Sequence, residues 1–198
     1  MKILIYSFRR CPYAIRARLA LRISKINFIN EEINLKDKSS LFLKVSPKGT
    51  VPVLVLNNGK IIDESIDIMF WAFKEKRLNN LFEYRNKEQM GLIQKMESDF
   101  KPHLDIFKYS NNSKSPKKKK ATINCEKFLK KLENLLKKNK FLFHSSPLIS
   151  DYAIVPFIRQ FFFSDKSYFN NIKFSNLSKW LEEIISSPIF IEVMNKKL

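Results

Sequence analysis

The sequence predicts an α/β unit followed by an all-helical unit. Two observations carry this expectation. Strand-like apolar runs alternate with helical periodicities through the first 75 residues, in the order β-α-β-α-β-β-α. Past residue 80 the strand signals largely stop, and apolar residues recur at helical spacing. The expected domains are therefore 1–76 and 84–198, with the boundary near residues 75–84.

Residues 2–8 (KILIYSF) are a mostly apolar run suited to a buried strand. Pro12 fits the first turn of a helix. Ile15, Leu19 and Ile23 share one face of that helix, and Arg16, Arg18 and Arg22 fall elsewhere. Residues 28–33 read as a second strand and 36–45 as a weaker helical segment. Residues 51–56 (VPVLVL) form a strand whose Pro52 marks its entry or a special peptide bond, since proline cannot donate to the ladder. Asn57-Asn58-Gly59 is a hairpin signal leading to a short return strand at 60–62. Ile66, Met69, Phe70 and Phe73 give the next helix, over 63–73, its apolar stripe.

In the second half, 84–109 reads as one long helix with a kink at Pro102. Residues 111–116 (NNSKSP) are a loop by composition, which Lys117, Lys118, Lys119 and Lys120 extend. Phe128, Leu129, Leu132, Leu135 and Leu136 mark an amphipathic helix, with Cys125 at its start. Residues 150–163 form an apolar central helix, kinked or interrupted at Pro156, and 177–185 a further helix.

Composition narrows the function classes. Hydrophobic residues make up 44% of the 198, a globular rather than a disordered balance. No apolar run reaches the roughly 18 residues of a spanning helix, so no membrane association is expected. The short apolar start is followed at once by Arg9-Arg10, without a small-residue cleavage site, and reads as a strand rather than an export signal. Two cysteines without that signal point to the reducing cytoplasm. The net charge of +18 invites a nucleic-acid reading, but it is dispersed, +8 in the first 80 residues and +10 in the rest. No Cys/His finger or aromatic RNA-binding signature accompanies it. No metal is expected.

The chemistry concentrates in Arg9-Arg10-Cys11-Pro12-Tyr13-Ala14, which follows a strand and opens a helix. A thiol at a helix N-terminus meets the positive dipole end and unpaired N–H groups, and two arginines add to the field. All favour the nucleophilic thiolate. The fourth position is Ala14, not a second cysteine, so the motif cannot exchange dithiols internally, and glutathione is the obvious resolving thiol. Cys125 is structural or incidental. A second cluster is Thr50-Val51-Pro52 with Asp63-Glu64-Ser65. A cis bond at Pro52 leaves the Val51 N–H and C=O facing outward to bond an extended peptide. Glu64 can meet an ammonium group, and Ser65 with helix N-terminal N–H groups a carboxylate. A plain helix cap at Asp63 or Ser65 is the competing reading.

The motifs FRRCPYA, LKDK, SPKGTVPVL and DESIDI, in this order, resemble the bacterial glutathione transferase superfamily, in its omega-like and glutaredoxin-2-like branches with an active-site cysteine. SDYAIVPFIRQF resembles the central helix of their second domain. The resemblance implies a thioredoxin fold followed by a helical glutathione transferase domain. It implies Cys11 as catalytic thiol, Lys38 on the glycine carboxylate of glutathione, and backbone contacts from Val51 beside cis Pro52. Glu64 and Ser65 would hold the γ-glutamyl group. Tyr13 joins this glutathione-binding set. Asp151 is implied as a buried acid positioning the central helix, although Leu148 stands where the family often has Ser or Thr; Ser150 is an alternative cap. Glutathione is the implied cosubstrate, beside a small electrophile or disulfide whose pocket would lie between the domains. Arg159 and Phe163 are candidates for that pocket, and Arg159 fits a structural pair better. Oligomeric state stays open, because most of the family dimerise and some cysteine members do not. The expected activity is monothiol chemistry: thiol transfer, deglutathionylation or small-molecule reduction. The alternative is a non-catalytic protein of this fold acting as a protein-binding or regulatory module.

Overall fold

The computed structural model describes residues 2–110 and 115–195. Two compact units result. Asn80–Ile185 is one, and the residues up to Asn79 together with those from Ser186 onward form the other.

The first unit is built on a four-stranded sheet, β1 (Leu4–Ser7), β2 (Ile29–Glu32), β3 (Val53–Val55) and β4 (Ile61–Ile62), in the order β2-β1-β3-β4. β1 pairs in parallel with β2, Leu4 opposite Ile29, because the connection between them is the helix α1 (Pro12–Ile23). β3 runs antiparallel to β1 and to β4, with Leu4 opposite Val55 and Leu54 opposite Ile62. The β3–β4 turn is as the Asn-Asn-Gly signal predicts: Gly59 has φ +83°, and the Lys60 N–H donates to Asn58 Oδ1 at 3.1 Å. Side chains alternate across β1. Ser7 meets Arg18 of α1, while Tyr6 on the opposite face packs against Phe42 of α2 (Ser40–Val45), ring centroids 5.4 Å apart and tilted by 48°. Helices therefore cover both faces of the sheet. Phe42, Ile33 and Val53 form a small core on the α2 side, against which Val51 packs. The unit closes with α3 (Ser65–Glu75) against α1.

The second unit comprises α4 (Asn80–Glu83), α5 (Asn86–Lys95), a π turn at Met96–Phe100, α6 (Lys101–Tyr109), α7 (Pro116–Leu136), α8 (Ile149–Ser164), α9 (Lys166–Asn171) and α10 (Ser175–Ile185). Its core is aromatic: Phe107 stacks on Phe161 at 4.5 Å, and Phe100 lies 5.1 Å from Phe128. Asp151 is the hub of α8. Its Oδ2 accepts from the Leu148 N–H at 2.9 Å, and its Oδ1 from the Leu142 N–H at 3.0 Å and Trp180 Nε1 at 2.8 Å. Among the described residues, no helix is long and apolar enough to cross a membrane.

Several expectations need correction. The last helix, α11 (Pro188–Met194), belongs to the first unit rather than to a domain spanning 84–198. It buries Phe190 and Val193, and Arg22 of α1 pairs with Glu192 at 3.2 Å. Arg16 and Arg18, off the apolar face of α1 in the sequence pattern, are buried as well, because α1 packs against α3 and α11 and has almost no free face. Lys117 to Lys120 are the first turns of α7, not loop: the Ser115 hydroxyl caps the Lys118 N–H at 3.2 Å and Pro116 suits the first turn. Residues 111–114 of the expected loop lie outside the described residues. Cys125 consequently sits in the interior of α7 rather than at its start. The long helix begins at Asn86, since Arg85 adopts φ +47°. Pro102 is accommodated next to the π turn, whose wider ladder places the Lys101 N–H on the Met96 carbonyl. α8 runs through Pro156 without interruption. Ser150 does not cap α8; its N–H donates to Gln89 Oε1 at 3.1 Å, and the side-chain bond at the Leu148 cap comes from Asp151.

Candidate active site

Cys11 is the residue at which the loop after β1 turns into α1. Its backbone is extended (φ −71°, ψ 121°), its N–H donates to the Phe8 carbonyl at 3.0 Å, and its carbonyl accepts from the Ile15 N–H at 2.9 Å. Pro12 occupies the first helical position, where a missing N–H costs nothing. The half-buried thiol thus sits at the positive end of α1. Its Sγ lies 3.8 Å from the Val51 carbonyl oxygen, and the Val51–Pro52 peptide is cis.

The loop before Cys11 is tied down by a buried cation. Arg18 donates to the Ser7 hydroxyl and, through Nη2, to the Arg9 carbonyl at 2.8 Å. The Arg9 N–H in turn reaches Glu32 Oε1 at 2.8 Å. Burial pushes the Arg18 guanidinium down to about 10, and the charges of Glu32 and Cys11 oppose that fall. A positive group therefore stands within electrostatic range of the thiol. The helical pattern sets Arg18 off the Ile15, Leu19 and Ile23 face and gives it no role, so this contact is not legible there. A fourth arginine within eight residues of Cys11 was the available signal.

The α3 end of the site is held by Arg16. Its Nε and Nη2 donate to Ser65 Oγ at 3.0 and 2.8 Å, and its guanidinium carbon lies 5.0 Å from the Tyr13 ring centroid. Ser65 is buried as the first residue of α3, behind Glu64 at the cap. Glu64 is exposed, and Lys48 Nζ lies 3.5 Å from its Oε1 and 3.0 Å from Asp63 Oδ2. The hydrogen bond and charge of Asp63, then those of Glu64, push the Lys48 ammonium upward.

Lys38 precedes α2, whose cap is Ser39, rather than lying inside a helix over 36–45. It reaches the loop before Val51: a Cβ placed on Gly49 would stand 3.1 Å from Lys38 Nζ. Gly49 has φ +62°, so glycine at this position permits both the turn and the close approach. Cys11 and Val51 are thus in contact, Lys38 leans on the segment leading to Val51, and Glu64 and Ser65 adjoin at the start of α3. Cys125 stands apart, fully buried in α7, where burial pushes its thiol up to about 12. Arg159 and Phe163 pair along α8, guanidinium carbon to ring centroid 4.6 Å.

Comparison with known proteins gives consistent relatives. Residues 10–75 match the family described as glutathione S-transferase, N-terminal domain, and residues 85–188 the glutathione S-transferase, C-terminal domain. Glutathione S-transferase omega-1 of Mus musculus is 31% identical over 164 residues, which is 80% of this chain and 67% of that protein. Among solved structures, a Tau class glutathione S-transferase from mango superposes with a TM-score of 0.84 at 22% identity, covering 98% of this chain and 93% of that one. A glutathione transferase family member from Pseudomonas fluorescens, solved with two glutathione bound, gives a TM-score of 0.83 at 16% identity, with coverage of 98% and 92%.

Proposed function

The chain belongs to the glutathione S-transferase family, and from that premise we propose that it is a glutathione-dependent thioltransferase working through Cys11 alone. One observation carries the reading: Cys11 is the N-cap residue at the positive end of α1, and its Sγ lies 3.8 Å from the Val51 carbonyl oxygen. The γ-glutamyl group of glutathione would lie at Ser65 and Glu64, with its carboxylate on the α3 N-terminus and its ammonium beside Glu64. Val51 would pair with the peptide backbone, Lys38 would meet the glycine carboxylate, and Tyr13 and Pro52 would flank the cysteine end.

The reaction is two thiol–disulfide exchanges. Cys11 thiolate attacks the glutathione sulfur of a glutathionylated substrate. The substrate S–S bond breaks, its electron pair leaves on the substrate sulfur, and that sulfur takes up a proton. The product is a Cys11–glutathione disulfide. Ala14 offers no resolving thiol, and Cys125 is fully buried. A second glutathione, as thiolate, therefore attacks the bound glutathione sulfur. It releases Cys11 thiolate and oxidised glutathione. The net exchange turns one glutathionylated thiol and one reduced glutathione into a free thiol and one oxidised glutathione.

Intact mass after incubation with oxidised glutathione tests this, on wild type and Cys11→Ser. The expected result is one glutathionyl adduct on wild type, lost on adding reduced glutathione, and none on the variant. Binding without an adduct would point to conjugation instead. No binding of glutathione would leave the regulatory-module reading.

A further inference from the structure

Every exposed charge on α7 is a cation. We propose that this face of the helical unit binds the phosphate backbone of duplex nucleic acid, without sequence preference, through Lys119, Lys120, Lys127, Lys130, Lys131 and Lys137. The proposal is independent of the Cys11 reading, since none of these residues belongs to that site.

The charge looks dispersed along the chain, but folding gathers part of it. The Ser115 cap and Pro116 draw Lys119 and Lys120 into the helix, which runs on to Leu136 with Lys137 at its C-cap. At 3.6 residues per turn the six lysines fall within a sector of about 120°, over a length of about 27 Å. Cys125, Leu129, Leu132 and Leu136 are buried on the other side. Between Lys119 and Lys137 the sector holds, besides lysine, only Ile123 and Asn134. The two acids of the helix lie off it and are engaged. Glu126 bonds the Tyr168 hydroxyl, and Glu133 is buried, accepting from Asn176 Nδ2 at 2.7 Å and the Leu177 N–H at 2.8 Å. On the flanks, Asp105 of α6 pairs with Lys101, and Glu183 of α10 with Lys140 at 2.7 Å. Asp99 lies beside Lys127 and Lys131, where Lys95 of α5 brings a third ammonium to the same concavity.

Charge complementarity and the makeup of the stripe select the occupant. A duplex carries one phosphate charge per about 1.7 Å of its axis, so about 27 Å of it sets some 16 charges against the stripe. Lysine meets phosphate as a point charge, without the fixed fork by which arginine reads a guanine edge. With its other side packed into the core, α7 offers the bases Asn134 alone among ammonium groups, so the contact follows the backbone and not the sequence. A single strand is held by stacking on aromatic side chains, and the one aromatic residue of α7, Phe128, is buried. A bilayer takes up the apolar face of a surface helix. Here that face is in the core, and Ile123 is the one large apolar side chain that α7 exposes.

Fluorescence anisotropy of the whole protein with two DNA duplexes of unrelated sequence, each about 20 base pairs long, between about 50 and 200 mM salt tests the proposal. One variant combines Lys127→Gln, Lys130→Gln and Lys131→Gln, exposed positions where glutamine keeps the helix propensity. A second combines Lys36→Gln, Lys44→Gln and Lys60→Gln, which removes the same charge from exposed positions of the first unit. Both duplexes are expected to bind alike, with a dissociation constant on the order of 10⁻⁶ M at the lower salt. The logarithm of the binding constant should fall against that of salt with a slope of about −5, at about 0.9 per phosphate contact. The α7 variant should lose about half of that slope, and the first-unit variant should keep it. No binding, or equal loss in the two variants, would overturn the proposal, the latter by making net charge the cause. Tighter binding to a single strand of the same length would overturn it too. So would tighter binding to vesicles of phosphatidylcholine and phosphatidylserine in equal parts, which would make the stripe a lipid-facing surface.

Discussion

The Arg16 guanidinium grips the Ser65 hydroxyl from two directions, Nε at 3.0 Å and Nη2 at 2.8 Å. Both residues are buried. The pair ties α1, which carries Cys11 at its start, to the first turn of α3, and it sets the direction in which Ser65 Oγ points.

Ser65→Ala removes the acceptor of both donations from a buried cation and should cost about 1–3 kcal/mol of stability, more than loss of an exposed cap. Glutathione affinity should fall as well. Urea unfolding and calorimetry measure the two. An unchanged unfolding midpoint would mean that the hydroxyl does no structural work.

Gly49→Ala puts a side chain at φ +62° and a Cβ 3.1 Å from Lys38 Nζ. A destabilisation of about 1–2 kcal/mol is expected from the backbone alone. Lys38→Ala, at an exposed position, should leave stability unchanged and weaken only glutathione binding. Equal unfolding midpoints for wild type and Gly49→Ala would contradict this.

Ala14→Cys installs a second thiol in the first turn of α1, three residues after Cys11. The mixed disulfide with glutathione should then be resolved within the motif. Intact mass should show an internal disulfide in place of the stable glutathionyl adduct expected of wild type. Persistence of the adduct would show that the new thiol cannot reach.

Asp151 provides the pH test. Burial pushes its carboxyl up to about 6, against the opposing pull of the Leu142, Leu148 and Trp180 N–H groups. The folded chain then holds its proton more tightly than the unfolded chain, whose carboxyl titrates near 3.8. The stability linked to that proton is fully present below about pH 4 and is lost as pH rises through about 6. The loss is roughly 3 kcal/mol, at 1.36 kcal/mol per pH unit. Asp151→Asn should remove this slope. It should also destabilise the protein at neutral pH by about 2–4 kcal/mol, because its amide turns an N–H toward backbone donors. Denaturant midpoints between pH 4 and 7 give both quantities.

Cys125 should resist alkylation in the folded protein, its thiol being buried and raised to about 12. Iodoacetamide should add once to the native chain, at Cys11, and twice after unfolding. Two additions to the native chain would place Cys125 within reach of solvent.

The sequence by itself determined the order of elements through the first 75 residues, the turn at Asn57-Asn58-Gly59, and the placement of Cys11 at a strand-to-helix junction. Each depends on neighbours within a few residues: apolar alternation, a proline in a first turn, a glycine where φ is positive. The start of α7 was misread for a related reason. Lys117 to Lys120 look like a solvated loop until Ser115 and Pro116 are recognised as a cap. Tertiary structure alone decided the rest. Arg16 and Arg18 flank the Ile15, Leu19 and Ile23 stripe on opposite sides, yet α1 packs against α3 and α11, and buried guanidiniums must find acceptors, here Ser65, Ser7 and the Arg9 carbonyl. The return of α11 to the first unit, and the meeting of Asp151 with Trp180, join residues far apart in the chain. No local pattern encodes such pairings, because their energy comes from surfaces that exist only once the chain has folded.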